Sequence, residues 1–128
     1  MITQYEFNKT LSELMNEAAE NSNNTLSMDE RCTDIYNNRI LRELSNEDLK
    51  VMIDNGIALD IMVPFAIDIL EENIMSEGGQ YPGDLLQSVS SIQTLYWAQN
   101  FDQKGRLRQI LESNIEMLSG VLKHITAL

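Results

Sequence analysis

The 128-residue chain has one cysteine, one histidine, two prolines and eight aromatic side chains. With Cys32 alone, no intrachain disulfide can form, which fits a reducing compartment. His124 is the only histidine and lies far along the chain from Cys32, so an ordinary zinc-type ligand set is missing. As a nucleophile, Cys32 would need a base that this chain can hardly supply. Basic residues are also scarce, at nine Lys and Arg against twenty Asp and Glu, for a net charge of -11. Nucleic acid and anionic membranes repel such a chain, and a basic protein is its natural partner. The longest apolar run, Ile61 to Ile67, is interrupted by Pro64 and ended by Asp68, well short of the ~20 residues of a membrane span. The opening Met1-Ile2-Thr3-Gln4-Tyr5-Glu6 has no basic stretch leading into an apolar core, so no signal peptide is expected and the cytoplasm is the expected location.

Hydrophobic residues make up 43% of the chain, which is ample for a core. A chain of this length buries roughly two thirds of its unfolded surface and needs no staple. Helical spacing recurs throughout. Phe7, Leu11, Leu14 and Ala18 share one face of a helix over about 4–20, with Glu6, Glu13, Glu17 and Glu20 largely opposite. Asn21-Ser22-Asn23-Asn24 reads as a polar loop. Ser27 and Glu30 fit a capping box for a second helix carrying Cys32, Ile35 and Tyr36, ended by Asn37-Asn38. Ser45 and Asp48 open a third, whose buried face is Leu49, Met52 and Ile53 and whose left-handed C-cap is Gly56.

The most apolar segment follows, from Ile57 to Leu70. Pro64 either opens a helix over about 63–73 or kinks a longer one, and this helix is expected at the centre. Gly78-Gly79 gives the next loop its freedom, and Pro82 fixes a turn. Asp84 is positioned to cap a helix through Leu85, Leu86, Val89 and Ile92, with Tyr96-Trp97 near its end. A last helix over about 102–124 carries the stripe Leu107, Leu111, Ile115, Leu118 and Leu122. The pattern predicts an all-α fold, a single domain over 1–128 with five to seven helices around a central apolar one.

Charge is uneven along the chain. From Glu43 to Asp84 stand ten acidic residues against one base, Lys50, while Leu85 to Leu128 is nearly balanced. Asp60, Asp68, Glu71, Glu72, Glu77 and Asp84 should set a negative field near the end of the central helix and its loop, steering a cationic partner. A merely solvated outer face is the plain alternative. No catalytic group emerges. Cys32 falls on an apolar face, His124 suits the last turn of a helix, and neighbouring Glu71 and Glu72 point in different directions. EF-hand and phosphate-loop spacings are both missing. No metal or cofactor is expected. Methionines such as Met52 and Met62 read as core fillers.

One ordered set of residues goes further. Glu47-Asp48-Leu49-Lys50-Val51-Met52-Ile53 leads into Ile57-Ala58-Leu59, then Val63-Pro64-Phe65-Ala66-Ile67-Asp68-Ile69-Leu70-Glu71. Ser76-Glu77-Gly78 and Tyr81-Pro82-Gly83-Asp84-Leu85-Leu86 complete it, ending at Tyr96-Trp97. Over about residues 45–97 this order resembles a helical family of immunity proteins from bacterial contact-dependent growth inhibition systems. The resemblance leads one to expect glycine where Ala58 stands, proline where Ile74 stands and an acid where Gly79 stands.

The resemblance implies a helical protein without chemistry of its own, which blocks a cognate toxin domain. Such toxins are commonly nucleases, and a ribonuclease with a basic cleft would suit the acidic surface here. The expected toxin-binding residues are Asp60, Asp68, Glu71, Glu72, Glu77 and Asp84, with Tyr81 as an aromatic anchor. The expected complex is one-to-one, formed by a monomer. An acidic helical adaptor for another basic protein shares the charge argument but not the motif set. A small helical enzyme is disfavoured by the missing His, Cys and metal constellations.

Overall fold

The computed structural model describes residues 4–18 and 29–127. The expected loop at 21–24, the Ser27 cap and Glu20 lie outside these residues, as do the side chains of Glu17, Ala18 and Leu122. Among the described residues the chain is all-α, without a strand. The helices are α1 (Gln4–Phe7), α2 (Leu11–Ala18), α3 (Glu30–Asn38), α4 (Asn46–Asp54), α5 (Leu59–Glu72), α6 (Asp84–Ser90), α7 (Thr94–Gln99), α8 (Phe101–Ser113) and α9 (Ile115–Ala127), with a 3-10 turn at Leu41–Glu43. No helix among the described residues is long and apolar enough to cross a membrane.

Local chemistry explains most boundaries. At α3, Asp29 caps through its carboxylate, which accepts from the Cys32 N–H at 2.8 Å. At α4, Ser45 Oγ accepts from the Asp48 N–H, while Asp48 accepts from the Ser45 N–H, each at 3.1 Å. This is the expected capping box. Beyond α4, Gly56 is left-handed at φ 67. Its N–H reaches Ile53 O at 3.0 Å and the Ile57 N–H reaches Met52 O at 2.9 Å, the Schellman pattern.

Three expected helices prove to be pairs. The first breaks after Phe7, where the Thr10 hydroxyl accepts from the Glu13 N–H at 3.2 Å and restarts the helix as α2. Thr10 also bridges to Ile40. The helix expected through Ile92 stops at Ser90, and Tyr96 and Trp97 belong to the separate α7. The last breaks at Asn114, whose side-chain amide donates to Ile110 O at 2.7 Å and competes with the helical ladder. Ile115 is consequently 55% exposed rather than part of a buried stripe, while Ile110, near the end of α8, is buried. His124 stands in the last turn of α9.

Helix α5 is the centre, packed against α4, α6 and α8. Of the two readings of Pro64, the structure takes the longer helix, which starts at Leu59 and contains the proline. Without a proline N–H, the Asp60 carbonyl loses its i+4 partner. Met62, Val63, Ala66, Ile67 and Leu70 are fully buried, alongside Leu11, Ile35, Met52, Leu85 and Val89. Each large apolar side chain so buried contributes about 1.5–3 kcal/mol. Phe7 of α1 stacks on Phe65 with ring centroids 5.4 Å apart, tying the N-terminal turn to the outer side of α5.

Candidate functional site

The seven residues expected to bind a partner fall into different settings. On α5, Asp60 stands in the first turn, while Asp68, Glu71 and Glu72 crowd the C-terminal end about two to three turns further on. All four acids are exposed. Asp68 and Glu71 converge on Arg106 of α8, whose Nη2 lies 2.6 Å from Asp68 Oδ1 and 3.0 Å from Glu71 Oε2. Both carboxylates remain over half exposed and Arg106 about a third, so each pair adds little stability, about 0–1 kcal/mol. Its effect is to align two carboxylates on the surface. Asp60, Glu72 and Glu77 have no ion pair among the described residues.

Glu77 and Tyr81 sit on the loop that leaves α5. The loop turns on Asn73, whose side-chain oxygen accepts from the Met75 N–H at 3.0 Å, and closes with a Glu77–Pro82 bridge. The Asn46 side chain of α4 donates to Glu77 O at 3.2 Å. Tyr81 is 48% exposed, and its hydroxyl bonds to the Gln87 side chain of α6.

Asp84 is placed otherwise than a surface contact requires. Its side chain is fully buried, and Gly83 rather than Asp84 occupies the cap position of α6. From the first turn its carboxylate reaches back into the loop, accepting from the Gly78 N–H, from Gln80 N–H at 3.0 Å and from Tyr81 N–H at 3.4 Å. Burial pushes its carboxyl up, but the N–H groups of Gly78, Gln80, Tyr81 and Leu85 outweigh that and hold it below the usual range. Asp84 therefore shapes the loop that presents Glu77 and Tyr81. Gly79 is needed in the same loop: at φ 103, a Cβ there would lie 2.8 Å from Glu47 Cγ.

The structure adds a feature that the sequence did not disclose. Between the α4–α5 turn and α7 lies a cleft of about 750 Å³, lined by Ile53, Leu59, Asp60, Ile92, Leu95 and Tyr96 among others. These residues are far apart in sequence, and no local spacing marks them. Elsewhere the chemistry is quiet. Cys32 is fully buried, and burial, helped by the Asp29 carboxylate, pushes its thiol up to about 11, so it stays protonated at neutral pH. Among the described residues no cluster of three or more His, Cys, Asp or Glu could hold a metal ion.

A family model described as CDI immunity proteins matches residues 13–110. The match extends beyond both ends of the 45–97 stretch that carries the motif resemblance and takes in most of α2 and most of α8. No curated protein and no solved structure matches the chain.

Proposed function

The chain belongs to the CDI immunity proteins, and from that premise we propose that it binds one cognate contact-dependent growth inhibition toxin domain in a one-to-one complex and occludes its active site or substrate cleft. It acts as an inhibitor by binding, as a single domain and a monomer, in the cytoplasm that it protects. The toxin class we propose is a nuclease, in particular a ribonuclease, because an enzyme that grips RNA phosphates needs a basic cleft.

The observation that carries this reading is the surface itself. Within the family match, the stretch from Glu43 to Asp84 holds ten acids and one base. Its members Asp60, Asp68, Glu71, Glu72 and Glu77 stand exposed. These five, with Tyr81 as anchor, form the proposed contact set, while Asp84 contributes from beneath. Opposed charge speeds capture, which a protein guarding against an incoming toxin requires.

The test is calorimetric titration against the purified toxin domain encoded with this chain, at low and high salt, beside an RNA-degradation assay. The expected result is one-to-one binding at nanomolar Kd or tighter, weakened by salt, with loss of RNA cleavage. Tight binding without salt dependence removes the charge mechanism. Absence of binding and inhibition removes the proposed role.

A further inference from the structure

Tyr96, in the wall of the cleft beside α7, carries a polar group without a partner among the described residues. Tyr96 is 9% exposed, and its hydroxyl is buried with no hydrogen-bond partner among the described residues. Buried hydroxyls are nearly always paired, and leaving one unpaired is costly. Asp60, which also lines the cleft, is close enough for its charge to act on that hydroxyl. Burial first, then Asp60, push the hydroxyl up to about 12. Asp54, another lining acid, is taken by Lys50 Nζ at 2.7 Å. Asp60 is exposed and without an ion pair among the described residues. Apolar side chains complete the walls, and one of them, Leu95, is 64% exposed. The cleft thus combines an unneutralised acid, an unpartnered hydroxyl and apolar walls, which suits a long aliphatic stem ending in a positive charge.

We propose that this cleft seats one arginine or lysine side chain of the toxin, its charged end bonded to the Asp60 carboxylate and the Tyr96 hydroxyl. The proposal rests on the toxin-binding reading above and names the point at which the partner is anchored. The stem packs on Leu59, Ile92 and Leu95. Because the hydroxyl is screened from water in the free cleft, the incoming side chain displaces an exposed wall residue such as Gln93 or Gln99 to reach it. A long side chain of this kind, seated in a pocket that binding closes off from water, can concentrate much of the binding energy of an interface.

Removing the hydroxyl separates this role from a structural one. Tyr96→Phe should leave the thermal midpoint of the free protein unchanged or raised, since the lost group has no partner there. The same variant should weaken binding of the purified toxin domain at least tenfold by calorimetry. Asp60→Asn should also weaken binding at least tenfold and flatten its salt dependence. Glu116→Gln, which removes one charge from α9 outside the family match, should stay within about twofold of wild type. Wild-type affinity in both Tyr96→Phe and Asp60→Asn overturns the cleft proposal while leaving the toxin reading intact. A lowered thermal midpoint in Tyr96→Phe also overturns it, because the hydroxyl would then be satisfied in the free protein. Failure of the wild-type chain to bind the toxin overturns the parent reading, and this one with it.

Discussion

The two connections that flank α5 are built on opposite plans. The exit, between Glu72 and Asp84, is held by side chains: Asn73 turns it, Asn46 ties it to α4, and the buried Asp84 carboxylate gathers three of its N–H groups. The entry, between Asp54 and Leu59, is held mostly by main chain in a Schellman turn, with only the Asn55 side-chain amide donating back to Val51 O at 2.7 Å, and α5 begins at Ala58 without a side-chain cap. Beside it, among the described residues, Tyr96 keeps an unpaired hydroxyl and Asp60 a carboxylate without an ion pair. A loop pinned at several points by side chains presents its surface rigidly. A turn whose neighbours are left wanting offers them to a partner. Binding groups therefore need not be the most acidic ones: Asp84, in the most negative stretch, is spent inside the fold.

The largest test of this contrast is Asp84→Ala, which strips three loop N–H groups of their acceptor and should cost about 3 kcal/mol in chemical denaturation. Asp84→Asn keeps one acceptor oxygen and should cost less, with a pH signature. The folded carboxyl is held below its unfolded value, so the stability it adds is fully present above the unfolded pKa, near 4, and is lost as pH falls through the lower folded value. The gap between wild type and Asp84→Asn should accordingly be constant from pH 5 to 7 and close below about pH 4. A gap that does not narrow at all as pH falls below 4 would mean that shape, not charge, holds the loop. Next in size, Gly79→Asp installs the acid that the family resemblance leads one to expect. Here it must adopt φ 103 against Glu47, and a loss of about 2 kcal/mol is expected. A neutral result would show that the loop can relax into another turn.

The sequence made the locally determined parts of this molecule legible. Ser45 with Asp48, Gly56, and the buried faces of α3 and α4 depend on residues within a turn or two, and periodicity and capping rules reach that far. The helix breaks at Thr10 and Asn114 went unread because side chains there take over main-chain partners against a continuing apolar period. The candidate site was legible as charge but not as geometry. Nothing in the spacing pairs Arg106 with Asp68 and Glu71, which lie 38 and 35 residues away. Nor does any local pattern bring Tyr96 to Asp60, or turn Asp84 inward. Each depends on how α5 packs against α8 and on where α7 and the loop come to lie beside it, and that arrangement is a tertiary property.

The smallest effect concerns the entry turn, and its sign matters more than its size. Ala58 is left-handed at φ 51, the only non-glycine residue with positive φ among those described. Such a conformation costs a residue bearing a Cβ about 1–2 kcal/mol. Ala58→Gly removes that cost but frees the unfolded chain, at about 0.4–1 kcal/mol, and gives up a half-buried methyl. The balance should favour glycine by about 0.5 kcal/mol, seen as a higher denaturation midpoint with unchanged slope. Gly56→Ala, two residues earlier, should go the other way. Its φ of 67 is equally unsuited to alanine, and an added Cβ would meet nothing within 4 Å, so conformation alone sets the loss. Opposite signs at 56 and 58 would locate real backbone strain at the wall of the Tyr96 cleft, where the family resemblance calls for glycine. If both variants lose stability, the Ala58 methyl packs well enough to outweigh its own strain. The entry turn would then be as firmly held as the exit, and the contrast between them would rest on Tyr96 and Asp60 alone.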